Sequence, residues 1–182
     1  MGNKYVVKNI FIHCSASYYG DALVFDAWHK ARGWSGIGYH YVVLNGRPFP
    51  DVHYLPFLDG QIQPGRHFDD DPIFSPDELG AHVAGRNGTS IGICLVGDTV
   101  FTPIQLTASK GLVTYLMEFL GLKVEDVLGH YEDENTHKTC PNINCDDYRD
   151  FLRDKITVDE LIVKIAKHNE ALTNGLSKPS VV

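Results

Sequence analysis

The chain has 182 residues, 43% of them hydrophobic and 21% charged, with a formal net charge of −7 and a pI of about 5.6. That size and composition suit one well-cored domain, while the acidic balance excludes the basic footprint of a nucleic-acid or anionic-lipid binder. No apolar run approaches the ~20 residues of a membrane span, so membrane insertion is not expected either.

The start, Met1-Gly2-Asn3-Lys4-Tyr5-Val6, lacks the charged and apolar regions of a secretory signal. It also has Val6 where myristoylation wants Ser or Thr, so the chain is expected to stay in the cytoplasm unless another factor releases it. Residues 5–12 read as a strand that carries His13 to its end. Alternation puts Phe11 and His13 on one face and Ile12 and Cys14 on the other, which separates Cys14 from any metal held by His13. Asp21 to Arg32 reads as a helix capped by Asp21 and stopped by Gly33, with a stripe of Val24, Ala27, Trp28 and Ala31. Residues 38–46 form a strand ending in an Asn45-Gly46 turn signal. From Arg47 to Glu78 the chain is rich in Pro, Gly and Asp, with a second turn signal at Leu58-Asp59-Gly60-Gln61. It reads as one hairpin plus a long exposed loop.

Ser90 to Gly97 is almost wholly apolar and suits a central strand buried on both faces. Thr102-Pro103-Ile104-Gln105 combines an N-cap, a proline at the first helical position and a capping-box glutamine. Leu106, Val113, Leu116, Met117 and Leu120 then keep helical spacing up to Gly121. Val124 to Gly129 is a short strand delivering His130, and Asp146 to Lys155 a helix. Thr157-Val158-Asp159-Glu160 is a capping box opening a last helix with Leu161, Ile165 and Leu172 on one side; residues 175–182 are expected to fray. Strands alternating with helices imply a single three-layer α/β domain, a central mixed sheet flanked by helices. The catalytic unit is expected over 1–156, with 157–182 as a packed helix and tail.

Three residues carry the chemistry. His13 and His130 each close a short apolar strand, where rigid elements hold ligands best, and Cys140 follows His130 at loop reach. Two imidazoles and one thiolate leave tetrahedral zinc an open fourth position, the mark of a hydrolytic rather than structural metal. A closed structural site of His130, His137, Cys140 and Cys145 is the compact alternative. His29, His53, His67 and His168 read as structural or surface histidines. Cys14 and Cys94 read as buried small hydrophobes; a Cys140–Cys145 disulfide is disfavoured by a reducing compartment.

Eight segments in order extend the pattern: Ile10-Phe-Ile-His13-Cys-Ser-Ala16, Trp28-His-Lys-Ala-Arg-Gly-Trp34, Gly38-Tyr-His-Tyr-Val42, Gly80-Ala-His82-Val-Ala-Gly-Arg-Asn87, Ser90-Ile-Gly-Ile-Cys-Leu-Val-Gly97, Phe101-Thr-Pro-Ile-Gln105, Gly129-His130 and Lys138-Thr-Cys140-Pro141. Together they resemble the zinc-dependent N-acetylmuramoyl-L-alanine amidases, a family that includes phage lysozyme-type amidases, recycling amidases and peptidoglycan recognition proteins. The resemblance runs from about Ile10 to Phe151 and is greatest to the short phage enzymes. It implies zinc on His13, His130 and Cys140, catalytic side chains at Tyr39 and Lys138, and substrate contacts at His82 and Asn87. It leaves open whether Lys138 acts as a fixed charge or shuttles a proton. The implied substrate is bacterial peptidoglycan, cut between N-acetylmuramic acid and L-alanine. The simplest setting is a monomeric phage endolysin that waits in the host cytoplasm until the membrane is permeabilised. A cytoplasmic recycling amidase acting on soluble muropeptides is the nearest rival. A non-catalytic peptidoglycan receptor is disfavoured because such relatives typically lose the cysteine ligand, present here as Cys140. The 47–78 stretch looks longer than in compact phage members, and the helix from Thr157 lies beyond the shared region.

Overall fold

In a computed structural model of the protein, which describes residues 5–69 and 71–175, the apolar runs pair into one sheet. Its strands are β1 (Asn9–Cys14), β2 (Tyr41–Asn45), β3 (Asp59–Pro64), β4 (Ser90–Leu95) and β5 (Val127–Gly129), ordered β3-β2-β4-β1-β5. All neighbours pair in parallel except the antiparallel β2–β3 hairpin, so the sheet is mixed as expected. β4 lies between β1 and β2 and is buried at all six residues, which is what its unbroken apolar run requires.

Alternation along the strands makes two different faces. Ile10, Ile12 and Cys14 join Ile91, Ile93, Leu95 and Val43 in the larger core. Against that face pack α2 (Pro103–Leu120), α3 (Cys145–Leu152) and α4 (Val158–Thr173), bringing Leu106, Val113, Leu116, Tyr148, Phe151, Leu161 and Ile165. The other face carries a smaller core of Val42, Leu44, Cys94 and Val96 under α1 (Ala22–Ala31), which supplies Phe25. That smaller core excludes Phe11 and His13, although His13 lies beside Cys94 in register. The functional residues gather on this part of the face.

Local signals in the sequence explain most element ends. Asp21 caps α1 through Val24 N–H, Thr102 caps α2 through Gln105 N–H, and Thr157 with Glu160 forms a complete capping box on α4. Gly121 ends α2 in the left-handed conformation at φ 66°. Four expectations need correction. Gln105 does not reach back to cap α2; its side chain is buried and its amide donates to the carbonyls of Val43 and Val96, tying β2 to β4. Leu58-Asp59-Gly60-Gln61 does form a turn, Gln61 N–H donating to the Leu58 carbonyl at 3.1 Å with Gly60 at φ 75°, but it opens β3 beside a register shift between Val43 and Asn45. The buried face of α1 is Phe25 and His29, whereas Ala27 and Ala31 are exposed. The first strand also begins at Asn9 rather than residue 5. The N-terminal readings on Met1 to Lys4 and the frayed tail from 176 onward lie outside the described residues.

α4 is integral to the larger core, where Leu161 is wholly buried and Ile165 nearly so. Leu161→Ala should therefore cost about 2–5 kcal/mol, read as a lower urea midpoint; a loss within ~0.5 kcal/mol, typical of surface positions, would mean the helix is dispensable to the core. At its far end, Asn169 donates to the carbonyl of Asn142 at 2.8 Å, so α4 also steadies the loop that presents Cys140.

Candidate active site

Sequence-remote segments meet around His13 at the end of β1. β1 presents His13, the turn after β5 presents His130, and the loop before α3 presents Cys140. Their ligand atoms all lie within 4.8 Å of one another, and His13 Nδ1 stands 3.7 Å from Cys140 Sγ. A tetrahedral zinc with Zn–N near 2.05 Å and Zn–S near 2.3 Å would place N and S about 3.6 Å apart, so the donor set fits that metal. Protonation fits as well. Burial is the largest cause of a depressed pKa at both histidines, pushing His13 well below its ordinary value and His130 to about 4. The Lys138 cation adds to both shifts, and both rings therefore keep lone pairs at neutral pH. In the metal-free chain, contact with Cys14 and then burial raise the Cys140 thiol above its usual range; a bound cation reverses this, because a coordinating thiol is deprotonated.

The closed alternative is not assembled. His13, His130 and Cys140 are the only metal-competent group among the described residues. His137 is exposed, and Cys145 is buried beneath Gly129, its sulfur 2.5 Å from where a β-carbon would sit. All four cysteines are free thiols. Cys14 belongs to the larger core, outside the metal group, yet its backbone N–H donates to Cys140 Sγ at 3.3 Å. That bond stabilises a thiolate, a role the face assignment alone did not suggest.

A groove of about 340 Å³ runs over this centre, lined by Trp34, His82, Asn87, His130, Asp133 and Lys138 among others. Tyr39 sits beside His13, ring centroids 5.2 Å apart. Burial, with the nearby cysteine thiols, raises its hydroxyl pKa well above 10, so Tyr39 stays a proton donor at neutral pH. His82 lies at the groove floor, 8% exposed, with ring nitrogens against His13 and Ser90. Asn87 Oδ1 accepts the backbone N–H groups of His82 and Val83. The walls are joined by a pair that sequence reasoning missed: Arg86 Nε meets the buried carboxylate of Asp133 at 3.1 Å. Burial alone would raise the Asp133 pKa; bonds from Asn135 N–H and Arg86 overcome it and hold the carboxyl ionised. Nothing local in the sequence marks this pair, since its partners lie 47 residues apart.

Comparison with known proteins supplies the lineage. The model of the N-acetylmuramoyl-L-alanine amidase family matches residues 3–143. The chain belongs to that family. This amidase is 32% identical over 148 residues to the endolysin of Enterobacteria phage K11, an alignment covering 75% of this chain and 82% of the relative. It is 30% identical over 148 residues to the endolysin of Escherichia phage T7, covering 74% and 80%. Among solved structures, the amidase LysC from Clostridium intestinale URNW superposes with a TM-score of 0.58 at 26% identity, covering 75% of this chain and 77% of that one. Drosophila PGRP-LB shares the fold, with a TM-score of 0.54 at 23% identity over 76% of each chain.

Proposed function

We propose that the chain is a zinc-dependent phage endolysin that hydrolyses the amide between N-acetylmuramic acid and L-alanine in bacterial peptidoglycan. The observation that carries the reading is the convergence of His13, His130 and Cys140, at zinc-like spacing, beneath an open groove. The endolysins of the two phages support the biological role. Among the described residues no helix is long and apolar enough to cross a membrane. On this reading the enzyme waits in the host cytoplasm and reaches the wall once the membrane is permeabilised. One chain supplies every residue of the site, consistent with a monomer. On the same reading the catalytic unit ends at residue 156, and α4 packs on it.

When bound, the metal supplies Lewis acidity, acidifying a water and polarising an amide carbonyl. The protein does the rest. Tyr39 donates a hydrogen bond beside the attacking oxygen. Lys138, exposed at the groove, holds its positive charge against the carbonyl oxygen as that oxygen becomes negative. Trp34 and the His82–Asn87 segment flank the muramyl peptide. The Oδ1 of Asn87 is already engaged, so its ligand contact falls to the amide nitrogen.

Intact peptidoglycan incubated with the protein should release new L-alanine amino termini, and a chelator should stop the release. Absence of new amino groups with zinc supplied would leave only a binding role; release from soluble muropeptides alone would indicate recycling. Lys138→Met should lower kcat by about 10²–10³, the usual worth of one oxyanion donor, with zinc content unchanged. A wild-type kcat in that variant would remove Lys138 from the mechanism.

A further inference from the structure

We infer that His82 is a positioning residue that dictates which nitrogen of His13 faces the metal, an inference that rests on the metal-centre reading above. The hydrogen-bond relay starts at a backbone carbonyl. Ser90 O has only lone pairs to offer, and it lies 3.2 Å from His82 Nε2. That nitrogen must carry the proton, which in a neutral imidazole leaves Nδ1 bare. The bare Nδ1 lies 3.1 Å from His13 Nε2, so His13 must donate there. His13 then presents an unprotonated Nδ1, and this is the atom 3.7 Å from Cys140 Sγ. One carbonyl, read through two rings, selects the ligand-competent tautomer.

The ring of His82 sits in a slot that only glycines can line. A β-carbon on Gly92 would fall 2.7 Å from His82 Cγ, and one on Gly80 would fall 2.6 Å from its Cδ2. Asn87 anchors the backbone of the same residue from below through Oδ1. His40 packs edge-on against the ring, centroids 5.6 Å apart, and is itself fixed in tautomer. Gly92 N–H donates to His40 Nδ1 at 2.9 Å, and His40 Nε2–H donates to the carbonyl of Glu78 at 2.9 Å. Both nitrogens of His82 are thus committed, and a substrate in the groove meets only its carbon edge. Outer partners of this kind typically govern metal affinity by about 10–100-fold, because they orient the ligand and raise its basicity.

The test uses the whole chain. In the metal-free protein labelled with ¹⁵N-histidine, long-range proton–nitrogen correlations should report the proton on Nε2 of His13, His82 and His40. Zinc affinity, measured by competition with a chromophoric chelator, should fall by about 10–100-fold in His82→Leu. It should largely recover in His82→Gln, whose amide can accept from His13 and donate to Ser90 O. A proton on His13 Nδ1 in the wild type overturns the inference, and so does wild-type zinc affinity in a folded His82→Leu. Should His82→Leu not fold, the tautomer measurement on the wild type still decides. The expected tautomers in a wild-type chain that binds no zinc would uphold the relay and sink the metal reading instead.

Discussion

Cys140→Ser is expected to leave a folded chain that holds little zinc and releases no measurable amino termini from peptidoglycan. Cys140 is the only ligand of the three that brings negative charge, and a serine hydroxyl stays protonated at neutral pH. The remaining pair of imidazoles would offer a neutral, two-point site. Even outer partners of metal ligands are worth roughly 10–100-fold in affinity, so removing the thiolate itself should exceed that. The Cys14 N–H that now points at Sγ would meet a weaker acceptor. Metal analysis after dialysis, alongside amine release, checks the expectation. Full zinc stoichiometry in the variant would remove Cys140 from the ligand set.

Acid should destabilise the metal-free chain steeply. Burial is the main cause that depresses His40 to about 4 and His82 to about 3, against an ordinary value of 6.5. Between those values the unfolded chain binds protons that the folded chain refuses. Stability is therefore complete above pH 6.5 and is lost as pH falls, by about 1.4 kcal/mol per pH unit for each histidine. Both contribute down to pH 4, after which His82 alone continues. Two pH units then cost about 5 kcal/mol, comparable to the whole stability of many domains. Urea midpoints measured from pH 7 to pH 4.5 should drop accordingly, and a flat profile would show that these rings are charged in the folded state.

The three candidate metal ligands are legible in the sequence because each lies where a short apolar strand or a turn ends, a local and strongly punctuated context. β4 was legible for a similar reason, since six consecutive small or apolar residues leave a strand little choice but the interior. Misreadings came where a local signal competes with tertiary structure. Asp59-Gly60 does make the turn its chemistry suggests, yet pairing of Asn45 with Asp59 places that turn at the opening of β3. On α1, Phe25 outweighs the alanines, and the helix rotates to bury it with His29. Gln105 satisfied a capping pattern, but two carbonyls in the sheet claim its amide. His82 was found by family resemblance, but its partners were not visible. Its place depends on Gly92 ten positions later and on His13, 69 residues earlier.

The same separation has a consequence for how the molecule comes into being. His13 and Cys140, whose donor atoms end 3.7 Å apart, are 127 positions distant in the chain. A ribosome finishes the first ligand early and the last one late, so through most of translation the emerging polypeptide cannot assemble the three-ligand centre. On the zinc reading, metal uptake would be a late event, since a preformed site rarely exists before folding. Once in place, the ion would clasp the first strand to the loop before α3 and close nearly the whole sheet within one covalent loop. A product released before Cys140 would lack the third candidate ligand and, on the proposed reading, would be inert.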